Sequence, residues 1–280
     1  MRKAAVAGAF YAGGAEELRQ QIEGCYRHPL GPGTLPGKPE EGARHIIGLV
    51  SPHAGYMYSG PVAAHGFLEL ASETEPGVVV IMGPNHRGMG ASIALSQEEE
   101  WQTPLGSVRV DREVGGKIIS ESRWAQWDDL AHRFEHSIEV QLPFLQYIYG
   151  GKFRIVPIAM LRQDLDTSQD LGQAIASALK DKKGLIIAST DFTHYEPQSS
   201  ANRKDRLALE AILNLDPKQL ETTVATHNIS MCGCGPVMAM LIATKLLGAN
   251  KARLLRYATS GDVVGDYSAV VGYASVEVAI

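Results

Sequence analysis

Four short stretches of the sequence carry side chains able to hold a metal ion or move a proton, and three of them follow directly on an apolar run. HIIGLVS runs into PHAGYMYSG, placing His53 beside Gly55. VVVIMGPN runs into HRGMG, placing Asn85 and His86 at the corresponding point. GLIIAST runs into DFTHYEP, presenting Asp191 and His194. Neutral imidazole is a common metal ligand, and a ring held at a strand end loses little freedom on binding. Asp191 stands three residues before His194, close enough to orient that imidazole or raise its basicity, although an Asp so placed also suits a helix N-cap. The fourth stretch is MCGCGPVM, whose thiols Cys232 and Cys234 precede a helical pattern beginning near Gly235 and Pro236. The positive end of a helix favours a thiolate, which is a soft metal ligand. No second C-x-C or C-x-x-C pair is present to complete a zinc site, so one of the two thiols is expected to join His53 and His86 while the other is structural.

A further cluster lies in EHSIEVQLPFLQ, where Glu135, His136 and Glu139 fall on a predicted helix. Glu135 and His136 either line the pocket at the helix start or Glu135 is a first-turn carboxylate favoured by the dipole, the second reading being preferred. His28, His45, His65, His132 and His227 lack comparable neighbours.

The elements that must position these groups follow from periodicity. HIIGLVS, VVVIMGPN, RIVPIAML and GLIIAST are short, continuously apolar and β-branched, as strands covered on both faces are. Helical patterns such as PVAAHGFLELAS, EHSIEVQLPFLQYIY and SQDLGQAIASALK separate them, so βαβ units and a largely parallel sheet are expected. Residues Ala15 to Tyr26, NRKDRLALEAILN and GPVMAMLIATKLL add helices; ARLLRYAT and SAVVGYASVEV add strands. RHPLGPGTLPGKPEEGAR breaks every pattern and predicts an exposed loop. Only one helix precedes it, so residues 1–280 are expected to form a single α/β domain. Ligands of such sheets bind beyond the carboxyl ends of the strands, where His53, His86, Asp191 and His194 fall.

A formal net charge of -5 and the lack of any Lys/Arg run argue against nucleic acid as a partner. Three cysteines in a chain of 280 residues predict no disulfide framework. The opening MRKAAVAGAFYAGG does not read as a signal peptide. The longest apolar stretch, Pro236 to Leu247, falls short of the roughly 20 residues needed to cross a bilayer, so a soluble, cytoplasmic protein with no membrane contact is expected. No G-x-S-x-G elbow, phosphate loop or G-x-G-x-x-G turn after the first strand is present, which removes the corresponding hydrolase, nucleotide and dinucleotide readings.

Taken in order, RKAAVAGAFY, PHAGYMYSG, GPNHRG, EHSIEVQLPFL, STDFTHY, NISMCGCGP, YATSGD and VVGYAS resemble the MEMO family (mediator of ErbB2-driven cell motility) over practically the whole chain. Its prokaryotic members are named as component B of the AmmeMemoRadiSam system, which includes a radical SAM protein. The resemblance implies a mostly parallel central sheet flanked by helices, similar to class III extradiol dioxygenases. It implies metal ligands at His53, His86 and Cys232, with Asp191 and His194 as pocket residues and His194 at the dioxygenases' acid/base position. The implied cofactor is iron(II) or copper, with zinc also suited to the thiolate. The implied role is a metal-dependent oxidoreductase, with a radical SAM protein as partner and a small-molecule or peptide ligand in the pocket. A non-catalytic metal-binding or phosphopeptide-binding module is the alternative. The dioxygenases hold iron with two histidines and a carboxylate; a thiolate in place of the carboxylate is a softer donor and weighs against ordinary ring cleavage.

Overall fold

The computed structural model describes residues 1–37, 42 and 44–280. Of the expected loop between Arg27 and Arg44, residues 38–41 and 43 lie outside the described residues. Helix α1 (Ala15–Arg27) buries Leu18, Ile22 and Cys25 at the spacing read from the sequence. Strand β1 (Ile46–Ser51) leads into α2 (Tyr56–Ala71), and β2 (Val78–Pro84) is followed by three short strands, β3 (Ile93–Leu95), β4 (Glu100–Thr103) and β5 (Gly106–Val110). Next come α3 (Arg112–Glu121), β6 (Ala125–Trp127), α4 (Leu142–Tyr149), β7 (Arg154–Met160), α5 (Leu165–Leu179) and β8 (Gly184–Ser189). The chain ends with β9 (His194–Glu196), α6 (Gln198–Leu213), α7 (Pro217–Thr226), α8 (Cys234–Leu246), β10 (Lys251–Thr259), α9 (Ser260–Val264) and β11 (Val270–Ala279).

The four apolar runs become β1, β8, β2 and β7, which lie side by side in that order and are mutually parallel. They form the middle of one mixed sheet ordered β10-β11-β1-β8-β2-β7-β3-β6. Antiparallel pairing is found outside these four strands' own pairings, where β11 meets β1, β10 and β9, where β3 meets β7 and where β4 meets β5. Alternate residues of the central strands feed two cores. Val50, Val80, Met82 and Ile186 pack against α5 and α8 on one face, and Leu49, Val79, Ile81 and Ile187 against α1, α2 and α4 on the other. Burial on both faces is why these strands read as continuous apolar runs rather than alternating ones. The result is one α/β domain with a mostly parallel sheet between helical layers, as expected. Among the described residues no helix is long and apolar enough to cross a membrane.

The predicted helix over EHSIEVQLPFLQYIY forms only in part. Glu139–Gln141 make a single 3-10 turn and α4 begins at Leu142, so Glu135 and His136 precede the helix and are not its first turn. The cause is local: the Glu135 carboxylate accepts the backbone N–H groups of His136 and Ser137 at 2.9 Å each, an alternative to helical pairing.

Glu139 fastens the amino-terminal segment over this turn. Its buried carboxylate pairs with Arg2 at 2.6 Å and accepts from the backbone of Ala5 and Val6 and from the Tyr11 hydroxyl. Arg2 in turn donates to the carbonyls of His132 and Glu135 and lies 4.0 Å from the centroid of the Trp101 ring. Removing one partner of a buried pair leaves the other charge uncompensated, typically costing about 3–5 kcal/mol. Glu139→Ala is therefore expected to destabilise the protein by about that amount, read from urea unfolding midpoints. A loss below about 1 kcal/mol, the scale of an exposed pair, would contradict the burial of this latch.

Candidate metal centre

Because β1, β8 and β2 are neighbours, their carboxyl ends bring His53, Asp191 and His86 to one place. Beyond them opens a cleft of about 660 Å³ lined by these three residues and by His136, His194, Phe10, Tyr58 and Tyr273, among others. Cys232 arrives from the segment before α8. Gly233 makes that approach feasible, since a Cβ there would lie 2.5 Å from the Ser189 carbonyl oxygen and 2.7 Å from the Thr190 Cβ. Gly83 serves β2 similarly, because a Cβ there would lie 2.4 Å from the Ser137 hydroxyl.

One donor atom each from His53, His86 and Cys232 lies within 4.8 Å of the others, close enough to share one ion. A second group, His86, Glu135 and His136, meets the same criterion, and among the described residues no other group does. Sγ of Cys232 is 3.2 Å from Nε2 of His53 and also accepts the backbone N–H of Asp191 at 3.2 Å. Cys234 does not reach this group; it starts α8, and its side chain packs into the core beside the sheet.

The unused nitrogens of both imidazoles are held. Nδ1 of His53 lies 2.9 Å from the Ser189 hydroxyl, and Nδ1 of His86 lies 2.9 Å from Oε1 of Glu135. Glu135 is almost fully buried and also accepts the backbone N–H of His86 at 2.7 Å. Burial pushes its carboxyl up, but the bond to His86 and the Ser137 amide outweigh this and hold it well below the usual carboxylate range. It is an anion in contact with His86, the arrangement that fixes ring orientation and strengthens a ligand imidazole. The preferred first-turn reading of Glu135 is corrected: it is a buried carboxylate bonded to His86, while His136 lines the cleft.

His53 is buried, and burial together with the neighbouring His136 and His86 rings holds its imidazolium well below the usual histidine range. His136 stacks on His86 with centroids 4.8 Å apart, touches Phe10 at 4.5 Å, and is lowered to about 4, chiefly by burial. Both rings are neutral near pH 7. Burial, reinforced by Asp191, pushes the Cys232 thiol up, and burial pushes Cys234 up to about 12. A bound cation acts in the opposite sense, since a coordinating thiol is deprotonated.

Asp191 caps no helix. Its Oδ1 accepts the backbone N–H of His53 at 2.8 Å, tying the end of β8 to the turn after β1, and burial raises its carboxyl above the usual range. The expectation that it orients His194 is corrected. The Nδ1 of His194 lies 2.8 Å from the Ser230 carbonyl, which can only accept, so the neutral ring keeps its lone pair on Nε2. His194 opens β9, where it pairs with Val271 of β11, and the next residue, Tyr195, takes a left-handed φ of 58° and is exposed at the cleft mouth. No motif or spacing in the sequence marks Phe10, Tyr58, Tyr273 or Ser189. Their roles depend on a turn at Phe10, the start of α2, the antiparallel strand β11 and the end of β8 meeting at one place, which no local pattern discloses.

The family described as Memo-like protein matches residues 2–277 of this chain. A MEMO1 family protein of Methanopyrus kandleri is 50% identical over 277 residues, covering 98% of each chain. Another, from Methanothermobacter thermautotrophicus, is 50% identical over 276 residues, covering 98% of this chain and 99% of that one. Among solved structures, an uncharacterized protein of Escherichia coli K12 is similar at a TM-score of 0.60 and 13% identity, covering 83% of this chain and 99% of that one, a likeness of fold alone.

Proposed function

This chain belongs to the Memo-like protein family, and from that premise we propose that its pocket binds a redox-active metal, iron(II) or copper, and acts as a metal-dependent oxidoreductase on a small molecule held in the cleft. The ligands are Nε2 of His53, Nε2 of His86 and Sγ of Cys232. The observation that carries the reading is that one donor atom from each of the three residues lies within 4.8 Å of the others, with each Nδ1 already engaged. The donor set suits the group: two neutral imidazoles and a thiolate accept copper, iron or zinc, and the thiolate shifts preference toward the softer ions. The anionic Glu135 beneath the site offsets part of the charge of a bound dication.

When bound, the metal supplies Lewis acidity and an electron-transfer centre. The chain supplies the rest. Phe10, Tyr58 and Tyr273 wall the cleft and limit water around a bound molecule. His194 exchanges a proton through Nε2, its Nδ1–H held by Ser230. Asp191 keeps the His53 turn in place and thereby acts on the ligand geometry.

The reading is tested by metal analysis of the protein reconstituted without oxygen with iron(II) or copper(I), beside His53→Ala, followed by oxygen uptake with a panel of small phenolic and catecholic molecules. Stoichiometric metal in the wild type, its loss in His53→Ala and substrate-dependent uptake are expected. A wild type that takes up neither ion defeats the proposal; stoichiometric metal without uptake leaves a binding module in place of an enzyme.

A further inference from the structure

We propose that Ser189 is a positioning residue that locks His53 in the tautomer with its proton on Nδ1, and so keeps a lone pair on Nε2. A count of protons around one hydroxyl carries the inference. The Ser189 Oγ lies 2.6 Å from the Ser137 carbonyl, 2.8 Å from Nε2 of Gln141 and 2.9 Å from Nδ1 of His53. A carbonyl can only accept, so the single hydroxyl proton goes to Ser137. The Gln141 amide also donates to the Pro52 carbonyl at 2.9 Å, which fixes its nitrogen as the atom facing Ser189. The hydroxyl is thus left with lone pairs alone toward His53, and Nδ1 must be the donor.

The surroundings make this a device and not a loose contact. Ser189, Ser137 and Gln141 are all fully buried, so no water can take over any of the three bonds. Ser137 donates to the Pro84 carbonyl at 3.0 Å. The network therefore joins the carboxyl ends of β1, β8 and β2, the strands that bring in His53, Asp191 and His86. The competing tautomer has a ready acceptor, the Cys232 sulfur 3.2 Å from Nε2, and a proton on Nε2 would occupy the lone pair. Ser189 works against that outcome. His86 is held by another route, its Nδ1 2.9 Å from Oε1 of the Glu135 anion. One ligand imidazole is thus held by a charge and the other by a neutral relay.

The part of the proposal that concerns affinity rests on the metal-binding reading above; the tautomer does not. Long-range ¹H–¹⁵N correlation spectra of the histidine rings in the metal-free full chain near pH 7.5, with His53 assigned by its loss in His53→Gln, report the protonated nitrogen. The wild type is expected to show Nδ1–H at His53. Ser189→Ala shifts His53 toward Nε2–H and weakens cobalt(II) binding by about 10–100-fold, the usual effect of losing an outer hydrogen-bond partner of a ligand. Ser189→Thr, which keeps the hydroxyl, restores both. A wild-type spectrum with Nε2–H at His53 overturns the proposal, and so does a Ser189→Ala protein with unchanged tautomer and affinity. If the wild type shows Nδ1–H yet takes up no metal, the metal reading fails while the tautomer assignment stands.

Discussion

Cys232→Ala is expected to weaken cobalt(II) binding by about 100-fold or more and to abolish the thiolate-to-metal charge-transfer absorption, while Cys234→Ala leaves that absorption in place. The magnitude follows from the free energy of structural zinc sites, about 10–16 kcal/mol over four donors, or roughly 3 kcal/mol for each. The sequence alone left the two thiols open. The geometry separates them: the Cys232 sulfur touches Nε2 of His53, whereas the Cys234 side chain belongs to the core around α8. Cys234→Ala removes a small buried group and is read in stability, not in the spectrum. Loss of the charge-transfer band in Cys234→Ala with its retention in Cys232→Ala would overturn the ligand assignment.

What made most of this site legible was the coincidence of two local signals. A buried parallel strand announces itself as an apolar run, and the residue after the run sits in the crevice, so His53, His86 and Asp191 could be placed without knowing strand order. The adjacency of β1, β8 and β2 is not a local property, and only the fold supplies it. Ser189 escaped because it is the last residue of β8 and reads as one more small strand residue; its importance lies in partners 48 and 136 positions away. Glu135 reads as a helix-start carboxylate because the pattern after it is helical and nothing local shows its carboxylate bending back onto His136 and Ser137. Sequence distance pairs Asp191 with His194, whereas the turn between them sends His194 to Ser230. Spacing of three predicts contact on a helix, and no helix forms there.

Metal affinity is expected to rise by at least about tenfold for each unit of pH between pH 6 and pH 8, a change of about 100-fold or more over that window. The sign follows from proton counting. Metal binds the thiolate of Cys232, and in the metal-free pocket burial and Asp191 keep that group a thiol throughout this range. Each binding event therefore releases that thiol proton, and raising the pH favours release. His53 adds nothing to the slope, because its imidazolium is already held well below the usual histidine range and the ring is neutral before metal arrives. The same count predicts that Cys232→Ala, besides binding weakly, loses the thiol's roughly tenfold per unit of pH, whereas His53→Ala weakens binding and keeps it. Competition with a chelator of known pH behaviour measures both. A wild-type affinity that is flat between pH 6 and pH 8 would mean that no thiol proton is displaced and that the sulfur is not a ligand.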